Sequence, residues 1–331
     1  MLLSVLDLSF VTTGTPPSAA LRNTLDLARY ADRLGYARYW VAEHHNLPSV
    51  ASPAPEIMIG QIAAVTERIR VGSGGVMLPN HAPLLVAERF KMLEAFYPGR
   101  IDLGLGRAPG TDQVTAFALR QRDVGQGRDD FLERLQELIF WDRGGFPENH
   151  PFSRVEAMPS DTPLPPIWIL GSSDYGARLA ASMGVGYAFA HHFASFDAET
   201  AMRLYREGFN PEGIEERPHA ILGVAAVCAE TDEEAERLAA SIDFFWLRRE
   251  QGEYRPLSSP EEVLAHPYSE AERERIRRNR ARLFVGSPAT MKARLAPLIE
   301  ATQADELMIT SAIYDHEARK RSYELVMEAF G

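Results

Sequence analysis

The chain has 331 residues, 45% of them apolar and 24% charged, which suits a folded protein with a sizeable core and excludes a disordered polymer. A formal net charge of -11 opposes non-specific binding to nucleic acid, and it obliges any anionic cofactor to find positive charge locally. That length is ordinary for an α/β barrel, which runs to about 250 residues before insertions.

The single cysteine, Cys228, lies in the apolar run Val224–Ala229, so no intrachain disulfide is available and a buried structural thiol in a reducing compartment is expected. The opening MLLSVLDLSF lacks a basic segment and meets Asp7 early, so it reads as a strand rather than a signal peptide. No stretch reaches the roughly 18 uncharged apolar residues of a membrane span. A soluble cytoplasmic protein with no membrane and no nucleic-acid partner is the expectation.

Short apolar runs alternate with longer helical patterns, the rhythm of βα units. The first strand is expected at Leu2–Ser9, then a helix from a capping Ser18 to Leu34 with Gly35 at its end. Strand Tyr39–Ala42, helix Ala54–Glu67, strand Ile69–Leu78, helix Leu84–Phe96 and strand Ile101–Leu105 follow. Helix Arg128–Trp141 precedes a polar, Pro-rich connection over 142–166. Strand Ile167–Leu170 is a continuous apolar run, as a parallel strand buried on both faces should be. Helix Asp174–Met183, strand Gly186–Ala190, helix Ala198–Gly208 and strand Ile221–Val227 continue the alternation. Residues 231–300 are too long for one crossover helix and include the charge run Glu270–Arg282, which reads as a solvated helix face. This helical insertion is a candidate lid. Strand Glu306–Ser311 and helix Asp315–Phe330 close the chain. Eight strands with intervening helices predict an α/β fold, a (β/α)8 TIM barrel in one domain over 1–331 with an insertion before the last strand. A doubly wound sheet is the alternative.

In such barrels the reactive groups sit at the C-terminal ends of strands. Glu43-His44-His45-Asn46 follows the second strand, and Pro79-Asn80-His81 the third. The turn Gly104-Leu105-Gly106-Arg107-Ala108-Pro109-Gly110 has Pro109 where a dinucleotide fingerprint needs glycine, so a Rossmann site is not expected. It does allow close backbone approach to a ligand, and Arg107 can grip a phosphate. Gly171-Ser172-Ser173 leads into a helix whose free N–H groups favour an anion, and the pair of sites caters for one monophosphate. Adjacent histidines diverge along a strand, so His44 and His45 suit proton transfer better than zinc, and no metal site is expected. Glu43, His45 and His192 are the candidates for lining a substrate pocket.

The strings Tyr39-Trp40-Val41-Ala42-Glu43-His44-His45, Arg70-Val71-Gly72-Ser73-Gly74-Gly75-Val76-Met77-Leu78-Pro79 and Pro98-Gly99-Arg100-Ile101-Asp102-Leu103-Gly104-Leu105-Gly106-Arg107 resemble the bacterial-luciferase-like flavin oxidoreductases. So do Leu283-Phe284-Val285-Gly286-Ser287-Pro288 and Asp305-Glu306-Leu307-Met308-Ile309, and the likeness is greatest to an uncharacterised bacterial branch. The resemblance implies an FMN-binding TIM barrel that takes reduced FMN from a separate flavin reductase and uses O2 to oxygenate a small organic substrate. It makes His44 the catalytic acid or base, and Arg107, Gly171, Ser172 and Ser173 the phosphate-binding residues. Gly74 and Gly75 match a pair joined by a non-prolyl cis peptide beneath the flavin ring; a bulge at that point is the alternative. The luciferase catalytic subunit carries a carboxylate where Ser172 stands, so the contacts there are open to difference. Other functions compatible with the residues are F420-dependent hydride transfer, a non-catalytic flavin-binding protein, and a metal-dependent hydrolase built on His44, His45, His191 and His192. A homodimer through the second and third helices is also implied, with Ile57, Ile59, Ile62 and Leu93 undivided between core and interface.

Overall fold

In the computed structural model, residues 1–108, 110–120 and 130–331 are described. Ten parallel strands form one sheet: β1 (Leu2–Asp7), β2 (Arg38–Val41), β3 (Arg70–Ser73), β4 (Val76–Met77), β5 (Ile101–Gly106), β6 (Ile167–Gly171), β7 (Gly186–Ala190), β8 (Ala220–Cys228), β9 (Leu283–Gly286) and β10 (Glu306–Thr310). Neighbours pair in the order β1-β2-β3-β5-β6-β7-β8, with β4 paired to the end of β5, and β10 pairs with both β8 and β1, which closes an eight-stranded barrel. The outer helices are α1 (Pro17–Leu34), α2 (Pro55–Ala64), α3 (Pro83–Phe96), α4 (Gln113–Leu119), α5 (Phe131–Arg143), α6 (Asp174–Met183), α7 (Ala198–Glu207), α8 (Asp232–Glu250), α9 (Pro260–Leu264), α10 (Glu270–Asn279), α11 (Pro288–Thr302) and α12 (His316–Phe330).

Several expectations change in detail. The strand expected over Ile69–Leu78 is two pieces, β3 and β4, because the chain turns at Gly74–Gly75 and β4 pairs with the end of β5. Ser18 is not the cap of the first helix. Pro17 occupies the first helical position, where its missing N–H costs nothing, and the helix ends at Gly35 with φ of 90°. The 231–300 segment is not purely helical, since Leu283–Gly286 forms β9 alongside Ala225–Cys228 of β8. The expected start at Arg128 lies outside the described residues, as does Pro109.

Two environments fill the barrel. At its N-terminal end the first residues of several strands meet in an ionic plug. Arg38 bonds Asp102 at 2.8 Å and Glu306 at 3.0 Å, Arg70 bonds Asp102 at 2.6 Å, and Ser4 and His219 bond Glu306. Above it Leu6, Trp40, Trp168, Ala188, Ile221 and Met308 form an apolar layer, with the two indoles edge to face at 5.4 Å. Gly186 is required there, because a Cβ would stand 2.4 Å from the Trp168 ring.

Outside the barrel, Ile59 and Ile62 of α2 and Leu93 of α3 join the main core, whereas Ile57 is 64% exposed and Phe96 70% exposed. Asp7, at the end of β1, is buried between barrel and helices. It accepts from Arg319 of α12 at 2.7 Å, Tyr39 at 2.6 Å and Thr24 at 2.7 Å. Cys228 is buried, its thiol pushed up to about 12 by burial, as a structural rather than reactive cysteine should be.

A separate apolar cluster holds α8 onto the barrel top. Leu238, Ile242 and Phe245 pack with Leu257, Leu283 and Val285, and with Ala312 and Ile313 after β10. Phe245 also meets Phe10 edge to face at 6.2 Å. Leu257 bridges the β1–α1 loop, donating to Val11 at 2.8 Å and accepting from Thr13 at 2.9 Å. That loop in turn bonds the segment after His44, from Val11 to Ser49 at 2.9 Å. No helix among the described residues is long and apolar enough to cross a membrane.

Candidate active site

The residues singled out in the sequence gather at the C-terminal ends of β2, β3/β4, β5, β6 and β7, around one mouth of the barrel. Glu43 leaves β2 pointing inward and is fully buried. Its carboxylate accepts from Met77 N–H at 2.8 Å and Asn80 Nδ2 at 3.3 Å, and pairs with His45 Nε2 at 2.9 Å and His81 Nε2 at 3.0 Å. Burial alone would raise its pKa, but the hydrogen bond and charge of His81, with the Met77 amide and His45, hold it below the usual carboxylate range. Glu43 therefore braces the loop beneath the mouth, and His45 is turned toward it. Thr111 completes the bracing by donating to the His45 carbonyl at 3.0 Å, and Asn46 donates to Asp112 at 3.1 Å.

His44 does not share the contact with Glu43 that holds His45. It is half-buried, and its Nδ1 is shut off from solvent with no hydrogen-bond partner among the described residues. Burial first, then the positive charge of Arg249, lowers its pKa to about 4. The imidazole is therefore neutral at physiological pH, with one nitrogen able to take a proton and the other to give one. Across the mouth His192 Nδ1 lies 3.2 Å from the Gly223 carbonyl, and burial lowers its pKa to about 4 as well.

Gly74 and Gly75 are joined by a cis peptide between β3 and β4. Backbone approach there leaves no room for side chains. A Cβ on Gly75 would stand 2.9 Å from the Gly104 carbonyl oxygen, and one on Gly104 would stand 2.0 Å from that of Ser73.

At the next strand ends, Arg107 lies with its guanidinium carbon 4.2 Å from the ring centre of Tyr175, in the first turn of α6. Gly171, Ser172 and Ser173 lead into that turn. Ser173 is the N-cap residue, yet its side chain makes no capping bond, and neither serine hydroxyl has a partner among the described residues. The first-turn amides, two hydroxyls and a guanidinium thus stand at adjoining strand ends, linked by the Arg107–Tyr175 stack, the kinds of donor a phosphate monoester takes. Gly171 also packs its Cα against Gly176, which brings strand and helix close.

Residues not singled out from the sequence also reach the mouth. Thr310, at the end of β10, and Ser311 keep buried hydroxyls without partners among the described residues. Arg249 comes from α8, 205 residues beyond His44, and nothing local in the sequence marks it. The sequence sets Pro79-Asn80-His81 at a strand end but gives no sign that His81 pairs with Glu43; only folding joins them.

The sequence model of the luciferase-like monooxygenase family matches residues 1–306, and the chain belongs to that family, a class of oxidoreductases. Among its relatives are YvbT of Bacillus subtilis, an uncharacterised protein 44% identical over 99% of this chain and 96% of that one, and N-acetyl-S-alkylcysteine monooxygenase of the same organism, 33% identical over 99% and 97%. The crystal structure of apo-MsnO8 is similar at 40% identity and a TM-score of 0.90, covering 99% of this chain and 98% of that one.

Proposed function

We propose that this chain is the oxygenase component of a two-component FMN-dependent monooxygenase. It takes reduced FMN from a separate flavin reductase and oxygenates a small organic substrate with O2. The observation that carries this reading is the convergence of Arg107 with the uncapped start of α6 and the hydroxyls of Ser172 and Ser173. These would hold the FMN phosphate, and Gly74 and Gly75 would hold its ring system. When bound, the flavin supplies the two electrons and the site at which oxygen reacts. His44, neutral and half-buried, moves a proton at the reacting centre, and Glu43 with His45 and His81 fixes the loop that positions it. The apolar cluster under α8 keeps one flank of the mouth dry. One domain over 1–331 and a cytoplasmic location accord with this role. The relative named N-acetyl-S-alkylcysteine monooxygenase acts, by its name, on a small organic molecule, and the reading takes only that breadth from it.

Replacing Arg107 with alanine is expected to weaken FMN about tenfold to a hundredfold, the worth of a charge-assisted hydrogen bond or two, and to leave riboflavin nearly unchanged. Parallel titrations of both flavins, read by quenching of flavin fluorescence, check this. Equal weakening of the two would remove the phosphate from that pocket. Oxygen uptake with FMNH2, against reduction of F420 by an alcohol, separates the oxygenase from a hydride-transfer enzyme on the same barrel. Flavin binding with neither activity would mark a non-catalytic binder.

A homodimer through α2 and α3 also belongs to this proposal. Ile57, Leu85, Met92 and Phe96 stand exposed on these helices, a run of apolar side chains that a monomer has no reason to present to water. Phe96→Asp with Ile57→Asp is expected to shift the protein to monomer in sedimentation velocity; a native protein already monomeric at tens of micromolar would end the suggestion.

A further inference from the structure

Arg249 is a basic residue at the end of α8, the helix packed on the barrel top. It sits in the last turn of α8, half-buried, with its guanidinium carbon 5.2 Å from the ring centre of Trp246 one turn earlier. Among the described residues no carboxylate pairs with it. The neighbouring acids are engaged elsewhere. Glu250 accepts from Asn279 at 2.9 Å, and Glu253 pairs with Arg248 at 3.6 Å and Arg255 at 2.8 Å. The helix C-terminus favours a cation, which accounts for a basic residue there but not for one half-buried against an indole. Its neighbour Arg248 meets the same dipole and still takes partners, Gln251 at 2.9 Å and Glu253.

The position of Arg249 is fixed by packing. Phe245 ties this end of α8 to Phe10, and Leu257, just past the helix, is bridged to the β1–α1 loop, which is itself bonded to the segment after His44. That chain of contacts sets the end of α8 over the loops that follow β1 and β2, the second of which carries His44. The candidate phosphate pocket lies at the ends of β5 and β6, two to four strands away around the barrel from β1 and β2. A flavin tail bound there leaves Arg249 to meet something else.

Resting on the oxygenase reading above, we propose that Arg249 is the specificity residue for an anionic substrate, a small organic acid whose carboxylate pairs with the guanidinium while its apolar part lies along Trp246. A half-buried guanidinium with no counter-ion favours a ligand that brings one, and a planar carboxylate matches its paired donors. The carboxylate would anchor the substrate on the β1–β2 side, beside His44, and leave its reactive end toward Gly74 and Gly75.

The test uses straight-chain acids from butanoate to decanoate and N-benzoylglycine, each beside its primary amide. They are titrated calorimetrically into the native protein, with and without FMN. At least one acid is expected to bind tenfold or more tightly than its amide. Arg249→Ala should erase that preference while leaving amide affinity, FMN affinity and melting temperature unchanged, and Arg249→Lys should restore part of it. Three results would overturn the proposal: no acid outbinding its amide, a preference that survives Arg249→Ala, or a loss of FMN affinity as large as the loss for the acid, which would assign Arg249 to the cofactor. Failure of the native protein to bind FMN at all is a separate result, and it would sink the oxygenase reading rather than the acid preference.

Discussion

Alanine at His44 is expected to lower single-turnover oxygenation by about a hundredfold or more, the usual worth of a positioned acid or base, while FMN affinity changes less than threefold. The separation follows from geometry. His44 stands after β2, with Nδ1 buried and unpartnered, whereas the candidate phosphate donors stand after β5 and β6. Rapid mixing of FMNH2-loaded protein with O2 and substrate, followed by product analysis, gives the first quantity, and flavin titration the second. A variant that turns over at the native rate would remove His44 from the chemistry. The pH dependence has a definite sign. With a folded pKa of about 4, His44 is neutral above that value and gains a proton only below it, so its titration contributes no step between pH 6 and 9. A rate that fell along a histidine-like curve between pH 7 and 6 in the native protein, and did so no longer in His44→Gln, would contradict this.

The largest effect on stability is expected from Arg319→Ala. This guanidinium is buried between α12 and the barrel and bonds Asp7 at 2.7 Å. Removing it strands a buried carboxylate that keeps only Tyr39, Thr24 and the Ser9 amide, and losing one member of such a pair costs about 3–5 kcal/mol. Burial alone would raise the Asp7 pKa, but the charge of Arg319 and the hydrogen bonds from Tyr39, Arg319 and Thr24 hold it below the usual range. In the native protein this contribution is therefore present above the unfolded pKa of about 3.9 and lost as pH falls through the lower folded value. Without Arg319 burial dominates and the folded pKa rises, so mild acidification should narrow the gap between variant and native protein. Urea unfolding of both at pH 7 and pH 5 measures it. A gap under about 1 kcal/mol, or one that widens on acidification, would mean the pair is not buried as described.

Local signals carried the barrel. Continuous runs such as Ile167–Leu170 predicted the parallel strands, and Gly35 predicted where the first helix stops, because each depends on residues a few positions apart. The clustering of Glu43, His44, Gly74, Arg107 and Ser172 at strand ends was legible for the same reason, once the strands were placed. What escaped depends on partners far along the chain. β9 is four residues beside a charge run, and it is a strand only because β8 extends past β7 to meet it. The break between β3 and β4 follows from how closely β5 approaches. The Asp7–Arg319 pair spans 312 positions, and Arg249 reads as one more charge on a charged helix until folding packs the end of α8 over the β1–α1 loop.

The ionic plug at the foot of the barrel has one more consequence. With Arg38, Asp102 and Glu306 stoppering that end and the apolar layer filling the barrel above them, a ligand at the strand ends can come and go only by the rim where α8 sits. On the oxygenase reading, cofactor, substrate and product would share that one rim.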